Sequence, residues 1–176
     1  MIRRFLILGL LLALVQNVAP AATPVPKAEA RRLAKPNVLP LALDDAFQFR
    51  KKKLFFFDPS NTQNTRNPMI SFERMRLAYG HVTQEERRQR YGNYFTFWWR
   101  NERPAKLTVR LEYRQENLGP VVQAQEVDVV VEPGTHKTGF EVTGDDYLDE
   151  GRVIAWRALL IEDGKIVALT QSALWN

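Results

Sequence analysis

The amino-acid sequence predicts an all-β protein built as an antiparallel β-sandwich, and two observations lead to this prediction. Six segments that are apolar, or that alternate between apolar and polar residues, follow one another from position 94 to position 175. Turn-forming residues separate them at about the 8–12-residue spacing that is usual in sandwiches and barrels. The chain lacks cysteine, so the Cys…Trp…Cys pattern of a true immunoglobulin domain is absent. On the strand pattern alone, we predict an immunoglobulin/fibronectin-III-like sandwich with at most one short helix.

Two of the six segments, 94–99 and 153–161, carry apolar side chains on both alternations. Such strands are covered on both faces, so we expect each of them to lie centrally in its sheet. Residues 105–115 alternate, which is typical of a strand with one wet face. Further strands are predicted at 121–131, 136–143 and 165–175. The last of these follows a tight Asp163-Gly164 hairpin turn.

The pattern before position 94 is less regular. A buried strand is predicted at 54–57, after three consecutive lysines, and residues 39–43 alternate as a short edge strand would. Residues 60–67 are polar and turn-rich, which indicates a surface loop. Thr83 and Glu86 have the spacing of a capping box, so a short helix is expected to begin there.

The first residues have the order of a secretory signal peptide. Two arginines give a positive start, residues 5–15 form an unbroken apolar run, and Ala19 and Ala21 are the small residues that cleavage requires. The run has 11 residues, whereas a membrane-spanning helix needs about 20. We expect residues 1–21 to be a cleavable signal peptide and the protein to reach the periplasm or the extracellular space. Without cysteine, no diacyl lipid anchor is expected.

Charge is distributed unevenly along the rest of the chain. Residues 27–53 contain eight basic and three acidic residues, whereas residues 54–176 contain 15 basic and 17 acidic residues. We interpret residues 22–53 as a proline-rich basic arm or linker and residues 54–176 as the sandwich domain. A basic arm on an exported chain is able to contact an anionic surface. Because the domain itself is slightly acidic, we do not expect nucleic-acid binding.

Signals of catalysis are sparse. The two histidines, His81 and His136, lie far apart in the sequence, and no motif of a metal-dependent or nucleophilic hydrolase is present. Ser60, Ser71 and Ser172 have no local signature. We predict that the protein is not an enzyme. A small secreted hydrolase stays an alternative, which requires a histidine near a serine and a carboxylate in one cleft.

An acidic cluster follows Gly144. Its four carboxylates, Asp145, Asp146, Asp149 and Glu150, are oxygen ligands of the kind that Ca²⁺ takes. Their spacing differs from that of an EF-hand loop, so we favour an acidic solvated loop between two strands and expect no cofactor. The same carboxylates are able to meet the basic arm, in the same molecule or in a neighbour.

Three tryptophans are candidates for ligand binding, because sugar rings stack on exposed aromatic side chains. They are Trp98, Trp99 and Trp175. An aromatic residue at strand spacing is more often part of the core. We expect Trp99 and Trp175 to come closest to the surface, since polar residues or the chain end adjoin them.

Polar residues line one face of the strand at 105–115. Lys106, Arg110, Glu112 and Arg114 share this face, which is either a docking surface for an acidic partner or a solvated sheet face with cross-strand ion pairs. We favour the solvated face.

Together these features predict an exported, non-enzymatic sandwich that acts as a protein-interaction or structural module of the cell envelope or extracellular space. The expected partner is another envelope or extracellular protein. A carbohydrate-binding accessory domain is the first alternative and the hydrolase is the second. In a variant of the main prediction, residues 38–57 pair as a strand with a neighbouring subunit.

Overall fold

The structure is a computed structural model that describes residues 29–33, 35–58 and 67–175. The predicted signal peptide, the start of the arm and most of the loop at 60–67 lie outside the described residues. The strands are β1 (Arg31–Leu33), β2 (Phe47–Phe57), β3 (Gly92–Asn101), β4 (Ala105–Gln115), β5 (Gln123–Val131), β6 (Gly134–Thr143), β7 (Val153–Glu162) and β8 (Lys165–Gln171). The helices are α1 (Pro68–Ala78), α2 (Gln84–Arg88) and α3 (Asp145–Glu150).

The strands form two antiparallel sheets. The large sheet has the order β1-β5-β4-β7-β8 and the small sheet has the order β2-β3-β6. The prediction of an all-β sandwich is confirmed. Both strands expected to be central are central, because β3 lies between β2 and β6, and β7 lies between β4 and β8. The hairpin between β7 and β8 turns at Asp163 and Gly164, both at positive φ, as a two-residue turn of this hand requires.

The core lies between the two sheets and is rich in aromatic rings. Phe97 and Trp99 of β3 are buried against Tyr113 of β4 and Trp156 of β7 within one apolar cluster. The rings of Phe97 and Trp156 lie 5.4 Å apart between centroids. Aromatic pairs at this distance stabilise a core beyond the area that they bury.

The N-terminal segment crosses the outer face of the large sheet. We call residues 29–33 and 35–44 the strap. Its first part is β1, which pairs with β5 at one edge of the sheet. Its last part pairs with β8 at the opposite edge, where Ala42 N–H donates to the Ile166 carbonyl at 2.9 Å and Ile166 N–H donates to the Pro40 carbonyl at 2.9 Å. Between the edges, Leu39 packs against Leu159 and Ile161.

The strap differs from the predicted linker, and β2 begins at Phe47, before the predicted end of the arm at residue 53. Prolines prevent a continuous strand in the strap, but the segment still forms a three-residue pairing at one sheet edge and three backbone hydrogen bonds at the other. The short edge strand predicted around Leu41 is represented by one parallel bridge to Ile166. Sheet edges offer unpaired backbone groups, and these groups hold the segment in place.

A buried ion-pair network lies beneath the strap. Arg110 of β4 donates to Glu126 at 2.6 Å, and Arg157 of β7 donates to the buried Glu112 at 2.6 Å. The Arg110 guanidinium also donates to the backbone carbonyl of Asn37 at 3.1 Å and to its side-chain oxygen at 2.9 Å. The prediction of a solvated face is therefore wrong for Arg110 and Glu112, because the strap removes both from water. Removing one partner of such a network typically costs about 3–5 kcal/mol.

The described residues contain three α-helices, where at most one was predicted. The predicted helix is confirmed as α2, with Thr83 and Glu86 forming both hydrogen bonds of a capping box. Helix α1 has an Asn67 cap and Pro68 in its first turn, both of which are start signals. The apolar residues of α1 are not confined to one face, so the sequence shows no helical periodicity that predicts it. Helix α3 replaces the predicted acidic loop and is held by Gln115, whose amide donates to the Asp146 carbonyl at 2.7 Å.

We predict that Asn37→Ala lowers the free energy of unfolding by about 1–3 kcal/mol, because one donor of the buried Arg110 loses its acceptor. Chemical denaturation of the variant measures the change. Val38→Ala is the matched control, since Val38 is 95% exposed and its truncation should change stability little. Equal stability of the two variants would contradict the assigned role of Asn37.

Candidate binding surface

The outer face of the small sheet carries an aromatic side chain that the core does not use. Along β3, Phe95, Phe97 and Trp99 point into the sandwich and are buried. Successive side chains of a strand point to opposite faces, so Trp98 lies on the outer face, where it is half-buried.

A bulge in β2 determines which side chains stand beside Trp98. The pairing of β2 with β3 shifts between Phe49 and Lys51, and such an extra residue reverses the alternation of a strand. Lys51 consequently faces outward, with its ammonium group 5.3 Å from the centroid of the Trp98 ring. Lys52 faces inward at the open side of the sandwich, 5.0 Å from the Trp156 ring.

A second lysine stands on the other side of Trp98. Lys137 of β6 is its cross-strand partner, and the Lys137 ammonium lies 5.6 Å from the ring centroid. Lys51, Trp98 and Lys137 therefore form a row across all three strands. Ammonium groups at this distance from an indole are attracted by its π face. We call this row and the flanking Arg100 the Trp98 face.

The Trp98 face carries unneutralised positive charge. Lys51, Lys137 and Arg100 are exposed, and none of them forms an ion pair within the described part of the chain. The neighbouring Lys53, in contrast, pairs with Glu73 of α1. The basic charge that the sequence assigns to a linker thus lies partly on the folded surface.

Tyr94 also lies on the outer face of the small sheet, at the end near Arg90, which follows α2. Its hydroxyl donates to the Arg90 carbonyl at 2.6 Å. Burial, with a further contribution from the charge of Glu141, raises the pKa of Tyr94 to about 12. The neutral phenol is therefore the form that the fold holds.

The other two candidate tryptophans are buried, contrary to the expectation that they come closest to the surface. Trp99 is 1% exposed, and its indole N–H donates to Thr138 Oγ1 at 3.0 Å. Trp175 is 8% exposed, because the guanidinium groups of Arg114 and Arg157 lie 4.9 and 5.0 Å from its ring. Trp99 is buried because it shares the inward alternation of β3, and Trp175 because the chain end folds back onto the large sheet.

The acidic cluster meets the basic arm within the same molecule. Arg32 of β1 forms ion pairs with Asp146 and Glu150 of α3. The prediction that these carboxylates are able to contact the arm is confirmed. Asp145 accepts a hydrogen bond from the Gln89 amide at 3.2 Å, and Asp149 is exposed. Over the described ranges, no group of three or more His, Cys, Asp or Glu side chains has the geometry to hold a metal ion.

Both histidines have hydrogen-bond partners other than serine among the described residues. His136 Nε2 lies 2.8 Å from Asn101 Oδ1 and 3.0 Å from the Glu132 carbonyl. His81 Nε2 lies 2.9 Å from the Nε of Arg90. Of the three serines considered, Ser60 lies outside the described residues. Ser71 lies in α1. Ser172 follows the end of β8, and its hydroxyl oxygen accepts a hydrogen bond from the Trp156 backbone N–H at 3.1 Å.

Comparisons of the chain with protein-family models, with curated proteins and with solved structures found no match. Among the residues that the structure describes, no helix combines the length and the apolar character needed to cross a membrane.

We predict that Tyr94 ionises near pH 12, well above the ordinary value of 10.0. Since its folded-state pKa is raised, its contribution to stability is complete below about pH 10 and is lost as the pH rises toward 12. The difference in phenolate absorbance between the parent protein and Tyr94→Phe isolates this group. Ionisation of Tyr94 close to pH 10 in the folded protein would contradict the assignment.

Proposed function

We propose that this protein is an exported, non-enzymatic binding module whose Trp98 face holds an acidic partner in the cell envelope or extracellular space. The observation that carries the proposal is the row of Lys51, Trp98 and Lys137, in which two unpaired ammonium groups flank an aromatic ring. An acidic partner would gain charge pairing with both lysines and apolar contact with the indole. Buried aromatic anchors with complementary charge are typical of protein recognition sites.

A purely protective role accounts for part of the Trp98 face. Strands β2 and β6 are the two edges of the small sheet, and lysines on edge strands oppose unwanted pairing between sheets. Edge protection needs the lysines but not a tryptophan between them. Tryptophan is enriched in protein recognition sites relative to the rest of the surface, so the presence of Trp98 between the lysines favours a binding role.

Two further parts of the proposal rest on other observations. The hydrogen bonds of His81 and His136 to non-serine partners favour a non-catalytic domain, and the N-terminal sequence favours export. The strands β2–β8 divide into three plus four, with β3 pairing to β6 across the intervening hairpin. This crossover supports the immunoglobulin/fibronectin-III-like type within the sandwich class.

We predict that the protein binds poly-L-glutamate or polygalacturonate at low ionic strength and that Lys51→Glu/Lys137→Glu weakens this binding by about tenfold or more. Two charge pairs of about 1 kcal/mol each give that factor. Isothermal titration calorimetry measures the affinities.

The matched control is Lys106→Glu/Lys165→Glu, which makes the same charge change at two exposed lysines of the large sheet. We expect this control to bind nearly as the parent protein does. Equal loss in both double variants would indicate unspecific attraction and would overturn the proposed surface, as would the absence of binding to either polymer.

A further inference from the structure

We infer that the acidic partner of the Trp98 face is a polysaccharide chain whose sugar rings bear carboxylates, lying across the strands along Lys51, Trp98 and Lys137. This inference rests on the proposed function and names the chemical class of the partner. An acidic polypeptide, a nucleic acid and an anionic membrane are the competing occupants.

The chemistry of the row favours a polymer that combines sugar rings with carboxylates. An indole offers a flat apolar surface, and one face of a pyranose ring presents C–H groups that pack against such a surface. Ammonium groups pair with carboxylates. The row therefore alternates a cation, a ring platform and a cation. A uronic-acid polymer carries a ring with every carboxylate, whereas an acidic polypeptide has no such regular alternation of rings and carboxylates.

The spacing of the two lysines also fits such a polymer. Lys51 and Lys137 lie on strands that flank β3 on its two sides, so their backbones are about 10 Å apart. This distance is roughly the length of a disaccharide. In the unliganded protein both ammonium groups lie over the Trp98 ring, so a sugar ring that packs on the indole takes the place of at least one of them. The lysine side chains are long and flexible, and in their displaced positions they reach the carboxylates of that ring and of its neighbours. Arg100, one row away, is placed to meet a further carboxylate or hydroxyl group.

The shape of the outer face of the small sheet favours a long chain as the occupant. Because β2 and β6 are both edges of the small sheet, a chain lying across the strands leaves the surface freely at either side. Thr96 of β3 and Gly139 of β6 are the next pair of facing residues on this side of the sheet. Both are small, so little side-chain bulk rises from the sheet on that side of Trp98. An open surface of this kind suits a segment within a polymer better than a small molecule enclosed in a pocket.

Nucleic acid fits the row less well than an acidic glycan. Single-stranded nucleic acid also combines rings and negative charge, and it binds on aromatic platforms within basic grooves. On the Trp98 face one ring and three basic groups are available, and the expected export of the chain places it where acidic glycans are the common polyanions. Nucleic acid is therefore an outcome that the experiment has to separate.

The experiment measures the binding of five probes to the intact protein: the three described next, single-stranded DNA and phosphatidylglycerol vesicles. Oligogalacturonate has rings and carboxylates, its methyl ester has the same rings without charge, and poly-L-glutamate has carboxylates without rings. We expect oligogalacturonate to bind most tightly. Trp98→Thr should weaken oligogalacturonate binding by about tenfold and leave poly-L-glutamate binding nearly unchanged. Lys51→Ala/Lys137→Ala should weaken both.

Two controls keep the result interpretable. Threonine suits an outward strand position, and thermal unfolding of Trp98→Thr checks that the sandwich is intact. The indole N–H resonance of Trp98, assigned as the one lost in this variant, should shift on addition of oligogalacturonate and not on addition of its ester. Lys106→Ala/Lys165→Ala should bind as the parent protein does.

The outcomes separate the inference from the proposed function. Poly-L-glutamate binding that depends on Lys51 and Lys137, without tighter oligogalacturonate binding, overturns the inference and leaves the proposed function standing. No binding of any acidic probe overturns both. Tighter binding of single-stranded DNA or of phosphatidylglycerol vesicles through the same residues also overturns the inference. Oligogalacturonate binding that Trp98→Thr does not weaken has the same consequence.

Discussion

The Arg110 guanidinium is the group on which the arrangement of the large sheet depends. It stands on β4, the central strand, and is buried between Glu126, Glu112 and Asn37. A charge in that position is stable only when paired and hydrogen-bonded. Two of its partners come from the sheet and one comes from the strap. The outer face of the large sheet is therefore complete only when the N-terminal segment lies across it.

This requirement makes the two outer faces of the sandwich different. The large sheet is covered by the strap, which also buries Leu159 and Ile161. On the small sheet, Trp98 is half-buried and keeps part of its ring accessible, and Glu73 of α1 pairs with the neighbouring Lys53. The binding function that we propose lies on the less covered face. The covered face supplies stability, and the open face supplies unpaired charge and an accessible ring.

The sequence contains enough information for the sandwich class, the central strands and α2, because each has a local pattern. Apolar residues on both alternations identified β3 and β7, and the Thr83–Glu86 spacing identified α2. The strap was missed because its pairings are short and join segments distant in the sequence, so they leave no period in the sequence. The assignment of Trp98 and Trp99 to opposite faces was also missed, since every residue at 94–99 except Thr96 is aromatic and either alternation fits the core.

The Trp98 face depends on the bulge in β2, which no sequence pattern announced. In the run Lys51-Lys52-Lys53, a regular strand would place the first and third lysines on one face and the second on the other. The bulge before Lys51 sets which face that is, and it brings Lys51 beside Trp98 and Lys52 over Trp156. Without the bulge, Arg50 would stand opposite Trp98, and Lys51 and Lys53 would point toward the core side. One extra residue in the edge strand β2 thus keeps Lys51 and Lys53 on the outer face and places Lys51 beside Trp98, where we propose that the partner binds.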